Sequence, residues 1–171
     1  MKQLNFRAIL SKKEIELYHG SDVVVKEPKI IQPVRALDFG SGFYTTTNIE
    51  QAKSFSKRVQ ERNASSNAII SVYLLDCSLL AKMKYLYFDN ADKEWLDFVS
   101  ANRNGTYEGT KYDVIYGPVA NDTIFRTFIA YQNGILNAEE TIKRLKISNL
   151  YNQIVFASEK SFECFSYIKE F

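Results

Sequence analysis

Cysteine, histidine and long apolar runs are all scarce in this chain, and each shortage removes a class of protein. Cys77 and Cys164 are the only cysteines, too few for a disulfide framework and without the paired spacing of a zinc site. A reducing cytoplasm is the expected setting, and no metal is expected. No segment approaches the length of a membrane span, and the N-terminal MKQLNFRAIL lacks the apolar run of a signal peptide, so neither membrane nor secretion is expected. Charge of one sign is also missing: 22 Lys and Arg against 20 Asp and Glu give a formal net charge of +2, which announces no nucleic-acid or membrane partner by itself. No internal repeat or low-complexity tract appears. What is present is an ordinary length, 171 residues, enough to bury a core as one domain over residues 1–171.

Strand and helix patterns mix along the chain. IELYH at 15–19 reads as a strand ending in a turn at Gly20-Ser21, followed by a proline-bearing loop over 22–35. Thr47 and Glu50 have the spacing of a capping box, and Ile49, Ala52, Phe55 and Val59 recur on one face of a helix over about 48–62. AIISVYLLD at 68–76 is β-branched and aromatic enough for a buried strand, with a second short one at 84–88. ADKEWLDFVSANR carries the stripe Trp95, Phe98 and Val99 of a helix that Asn104-Gly105 ends. YDVIYG at 112–117 alternates as a strand that Pro118 ends. Asn121 caps a further helix with Ile124, Phe125, Phe128 and Ile129 inward, stopped by Gly134. A short helix from Asn137 toward Leu145 and strands at 153–158 and within FECFSYIKEF complete the chain. Without steady β-α alternation, the expected class is α+β.

The stretch LDFGSGFYTTTNIEQAKSFS at 37–56 stands apart. Gly40 and Gly42, on either side of Ser41, carry no Cβ, so the backbone can turn sharply and approach something flat while Tyr44 is held at a fixed place.

Together with LYHGS at 17–21 and NQIVF at 152–156, this stretch resembles, in order, the three signature motifs of ADP-ribosyltransferases of the poly(ADP-ribose) polymerase and diphtheria-toxin group. There the motifs read approximately HG, then FGxGxYF before a helix beginning SxSA, then NEYxV. The chain also resembles, through EWLDFVSANR and YDVIYGPVANDTIF, a bacterial family catalogued as a domain of unknown function within that superfamily; the likeness frames residues 15–171. The resemblance implies a split β-sheet core with surrounding helices and NAD as cosubstrate. It implies that His19 hydrogen-bonds a ribose hydroxyl, that the backbone of Gly20 pairs with the nicotinamide carboxamide, and that Tyr44 stacks on the nicotinamide ring. Ser21, the last residue of the same motif, is implied to contact the cofactor as well.

The third motif departs from the pattern, because Gln153 stands where the polymerases carry glutamate. An amide orients a ribose by hydrogen bonding but supplies neither charge nor base, so transfer of a single ADP-ribose, or NAD hydrolysis, is expected rather than chain elongation. Asp122 is the candidate for a carboxylate supplied from elsewhere, its other reading being an acid that stabilises the start of a helix. Arg103 either reaches a pyrophosphate through its planar fork or closes the end of its own helix by charge.

The implied function is a mono-ADP-ribosyltransferase acting on a macromolecular target, protein or nucleic acid, as the toxin of a bacterial toxin–antitoxin or phage-defence pair, neutralised by a small protein antitoxin. The alternative is a module that keeps an NAD-shaped cleft and has lost catalysis, for which Gln153 is the strongest argument. A ribonuclease-type toxin is disfavoured, since the single histidine belongs to the first motif and no other acid–base pair stands out.

Overall fold

A computed structural model of the protein describes residues 4–30, 37–119, 122–145 and 151–171, the backbone alone over 122–125. Its described strands form two sheets. One is wholly antiparallel in the order β1 (Glu14–Ser21), β3 (Ile69–Asp76), β7 (Phe165–Glu170). The other has the order β2 (Phe43–Thr45), β6 (Asn152–Phe156), β5 (Val114–Pro118), β4 (Tyr85–Tyr87), with only the β4/β5 pair parallel. The class is α+β, as the mixed patterns require.

Side-chain alternation distributes the strands between three apolar clusters. Leu17, Tyr73 and Leu75 from the first sheet meet Phe43, Val114, Tyr116, Ile154 and Phe156 from the second in one cluster, so both sheets share the main core. Phe6 and Ile9 of helix α1 (Phe6–Leu10), and Cys77 and Leu80 of α3 (Cys77–Leu80), close it. Ile115 and Val155, on the other face of the second sheet, pack with Trp95, Leu96, Val99, Phe128 and Leu145 of α4 (Lys93–Arg103), α5 (Asp122–Gln132) and α6 (Ala138–Leu145). The outer face of the first sheet, through Ile70 and Val72, carries Ala52 of α2 (Ile49–Asn63). Because β3 is covered on both faces, its sequence is apolar on both, apart from Ser71 and the terminal Asp76, rather than alternating.

Several boundaries differ from the sequence expectation, each for a local reason. Gly20 and Ser21 are the last two residues of β1, not a turn, because both pair with β3. Helix α2 is capped by Asn48, whose Oδ1 accepts from Glu50 N (2.9 Å) and Gln51 N (3.2 Å), in place of the Thr47/Glu50 box. Phe55 is 40% exposed, and the helix buries Ala52, Ser56 and Val59 instead. The cause is Gly20: a Cβ there would lie 2.3 Å from Ala52 O and 2.9 Å from Ser56 N, an approach that only small helix residues permit. Strand β5 begins at Val114 rather than at Tyr112 and ends at Pro118, as the sequence indicates. Phe128 is buried as expected while Ile129 stays 39% exposed; the expected Asn121 cap and the side chains of Ile124 and Phe125 lie outside the described residues. The first residues of FECFSYIKEF belong to a 3-10 helix, Glu159–Cys164, before β7 begins. Among the described residues no helix is long and apolar enough to cross a membrane.

Candidate functional site

The two sheets are hydrogen-bonded to each other at one bridge, and the residues of the first two motifs surround it. Tyr18 N donates to Thr46 O (2.8 Å) and Thr46 N to Tyr18 O (2.9 Å). Before Thr46, β2 turns to pair with β6, so β1 and β2 part at this point and leave a fork. His19 spans it: its ring Nδ1 lies 2.7 Å from the carbonyl oxygen of Tyr44. A carbonyl only accepts, so Nδ1 carries the proton and Nε2 is left as an acceptor, with no partner among the described residues. Burial pushes the imidazole below its ordinary pKa, the bond to Tyr44 opposing, so the ring is held neutral. Phe43 supports it at 4.4 Å between ring centroids.

Gly20 addresses the same fork with its backbone. In an antiparallel pair, alternate residues turn their N–H and C=O toward the partner strand. Tyr18 directs both groups away from β3 to Thr46, and Gly20, two residues on, directs its own the same way. Its register partner Ile70 spends its groups on Phe171, on the opposite side of β3. The bare Cα of Gly20, however, faces α2, so the glycine is required by helix packing whether or not a ligand enters the fork. Ser21 lies at the end of β1 with its hydroxyl turned to Asp22 Oδ1 at 3.4 Å.

The glycine stretch has a similar internal explanation. Gly40 adopts φ +75°, the left-handed turn expected of it, and a Cβ at Gly42 would meet Val155 Cγ1 at 2.5 Å and Phe156 O at 2.9 Å. The flat object approached at Gly42 is strand β6. Tyr44 is fixed at both ends: its hydroxyl donates to Gly40 O (2.7 Å) and accepts from Phe39 N (3.1 Å), while its ring packs beside the Phe39 and Val155 cluster. Burial raises the phenol well above its usual pKa.

Gln153 sits on the face of β6 shared by Val155, opposite Gly117, and is 7% exposed. Its Nε2 donates to Asp38 Oδ2 at 3.3 Å, and Asp38 Oδ1 accepts from Arg103 Nε (2.8 Å) and Nη2 (2.5 Å). The guanidinium carbon lies 4.8 Å from the Phe128 ring centroid. Arg103 therefore ties the end of α4 to the 37–40 turn through a buried ion pair, a role neither sequence reading anticipated. Asp38 carries no motif of its own, and its only signal in the sequence is that it is the one acid in LDFGSGFY. Asp122 begins α5, and its side chain lies outside the described ones.

Two surface concavities lie away from these residues. One, of about 230 Å³, is lined by Glu14, Asp76, Glu163 and Cys164; the other, of about 490 Å³, by Lys93, Glu139, Ile142 and Lys143. Among the described residues no three His, Cys, Asp or Glu side chains gather as metal ligands.

No curated protein and no solved structure matches the chain. A family model does, over residues 15–167, a span that holds the fork, the glycine turn, Arg103 and Gln153. On that match the chain belongs to the family described as "Protein of unknown function (DUF3990)".

Proposed function

We propose that the protein is an NAD-dependent mono-ADP-ribosyltransferase of the ADP-ribosyltransferase superfamily, with a split-sheet core of that kind, acting on a macromolecular acceptor. The observation that carries the reading is the fork between β1 and β2, where a neutral His19 offers Nε2 as an acceptor and Gly20 offers one N–H and one C=O side by side. A ribose hydroxyl is a donor suited to Nε2, and a carboxamide has the matching C=O and NH₂ for a strand edge. Tyr44, pinned at its hydroxyl, supplies a ring that cannot swing away from a stacked nicotinamide.

In the reaction the bond between ribose C1′ and the nicotinamide nitrogen breaks, its electron pair cancels the pyridinium charge, and the positive charge passes to C1′ and the ring oxygen. The acceptor's lone pair then closes a new bond to C1′, and its proton leaves to water or a nearby base. Holding the two reacting centres in line is the main task left to the chain. Gln153 would accept from a ribose hydroxyl through Oε1. We place the activity in the cytoplasm, as the toxin of a toxin–antitoxin or phage-defence pair covered by a small protein antitoxin, because an enzyme of this kind always meets its cosubstrate there.

One observation favours the second reading, an NAD-binding module without turnover: the carboxylate hydrogen-bonded to Gln153, that of Asp38, is paired with Arg103, so it is not an uncompensated anion available to a developing cation. Nicotinamide release from NAD by the purified protein separates the two, and labelled NAD with a cell extract reports transfer. The enzyme reading expects release by the wild type and its loss in a folded Tyr44→Ala protein, with growth arrest on expression of the first and not the second. Unchanged release by Tyr44→Ala, or equal toxicity of both, overturns the site assignment.

A further inference from the structure

We infer that Asp38 is a positioning residue: through its hydrogen bond it fixes the amide of Gln153 so that Oε1, an acceptor only, is the atom presented to a bound ligand, which must supply a hydrogen-bond donor there, a ribose hydroxyl on the proposed reading. The inference rests on the proposed reading for the identity of the ligand and on the Asp38–Gln153 geometry for the rest.

A glutamine amide can turn either end toward a ligand, and the two ends are chemical opposites. The neighbour decides which end it is. Asp38 Oδ1 takes Nε and Nη2 of Arg103, which anchors the carboxylate and aims Oδ2 at residue 153. A carboxylate so paired accepts, so the end of Gln153 that faces it at 3.3 Å is Nε2. Oε1 is thereby turned away from Asp38, and it has no partner among the described residues. With Asp38 7% exposed and Gln153 7% exposed, little water is at hand to substitute for the bond if it is lost. Phe128 backs the guanidinium, so a chain of contacts from α5 through α4 and the 37–40 turn orients one amide on β6.

The arrangement also explains how a glutamine can stand where a glutamate is expected from the superfamily pattern. A glutamate at 153 would set its carboxylate against that of Asp38. The pair Asp38 and Gln153 keeps one carboxylate and one amide, balanced by Arg103, and still shows the ligand an oxygen. Exchanging the two groups, with asparagine at 38 and glutamate at 153, preserves the number of charges, the hydrogen bond with its direction reversed, and an acceptor oxygen toward the ligand.

Nicotinamide release and the side-chain amide NMR spectrum of four proteins test this: wild type, Asp38→Asn, Gln153→Glu, and the double variant Asp38→Asn/Gln153→Glu. Expected are a fall in kcat of about tenfold in each single variant with KM little changed, and recovery toward wild type or above in the double variant. In wild type the Gln153 Nε2 protons should be shifted and slow to exchange, and Asp38→Asn should abolish both features. A double variant as impaired as the product of its singles overturns the inference, and so does a Gln153 amide signal unmoved by Asp38→Asn. Should the wild type release no nicotinamide, the enzymatic reading fails, and the NMR comparison alone decides the positioning role: a Gln153 amide signal moved by Asp38→Asn supports it and an unmoved one overturns it.

Discussion

His19 is the only histidine in the chain, which makes its protonation separable from everything else. Burial lowers its pKa from the ordinary 6.5, the Tyr44 carbonyl opposes, and no charged side chain contributes to the shift. Between the folded-state value and 6.5 the unfolded chain binds a proton that the folded chain refuses, so stability rises with pH in that window. The contribution is fully present above 6.5 and is lost as pH falls below it toward the folded value. One proton limits the slope to about 1.4 kcal/mol per pH unit. Going from about pH 7.5 to about pH 5.5 therefore removes up to about 1.4 kcal/mol, or roughly 3–6 °C of melting temperature for a chain of this length. His19→Asn keeps a donor near the Tyr44 carbonyl and does not titrate. Melting temperatures of both proteins across the window isolate the term: the wild type should show the added slope and His19→Asn should lack it. Ring ¹⁵N shifts should report an Nδ1–H tautomer at neutral pH, and on the proposed function nicotinamide release should fail on the same acidic side, because a protonated Nε2 would not accept from a ribose. Equal slopes in the two proteins, an Nε2–H tautomer, or a ring that titrates at or above 6.5 would refute the reasoning.

Gly20→Ala should be destabilised by about 1–3 kcal/mol or more, since the added methyl meets helix backbone at Ala52 O and Ser56 N rather than a movable side chain. Denaturant titration measures it, and an unchanged midpoint would show that α2 does not lie against β1 as described. Trp95→Phe removes the donor to Pro118 O, a buried bond of 3.0 Å joining α4 to the end of β5. The orphaned carbonyl and lost ring area should cost about 1–3 kcal/mol by the same titration, and a loss below about 0.5 kcal/mol would mean that water replaces the indole.

Much of the scaffold was legible because it is written locally. β3, β5 and β6 are rich in β-branched, aromatic and aliphatic residues, and Trp95, Phe98 and Val99 mark α4 by their spacing alone. The special status of Gly20, Gly40 and Gly42 could be read as well, since a missing Cβ in a patterned stretch always signals a close approach or a turn. What approaches them could not. Gly20 meets α2 and Gly42 meets β6 because chain segments far from each in sequence are brought there by sheet pairing. β2 is three residues long and exists only through its pairing with β6, so no periodicity could announce it. α1 and α3, at five and four residues, are too short for a helical period to register. Most of all, the sequence determined that His19, Tyr44 and Gln153 are present, while only the tertiary structure decided their company. Asp38 meets Arg103 across 65 positions and Gln153 across 115. Hydrogen bonds at that separation depend on how the two sheets and the α4 layer stack, and on nothing that a window of neighbouring residues contains.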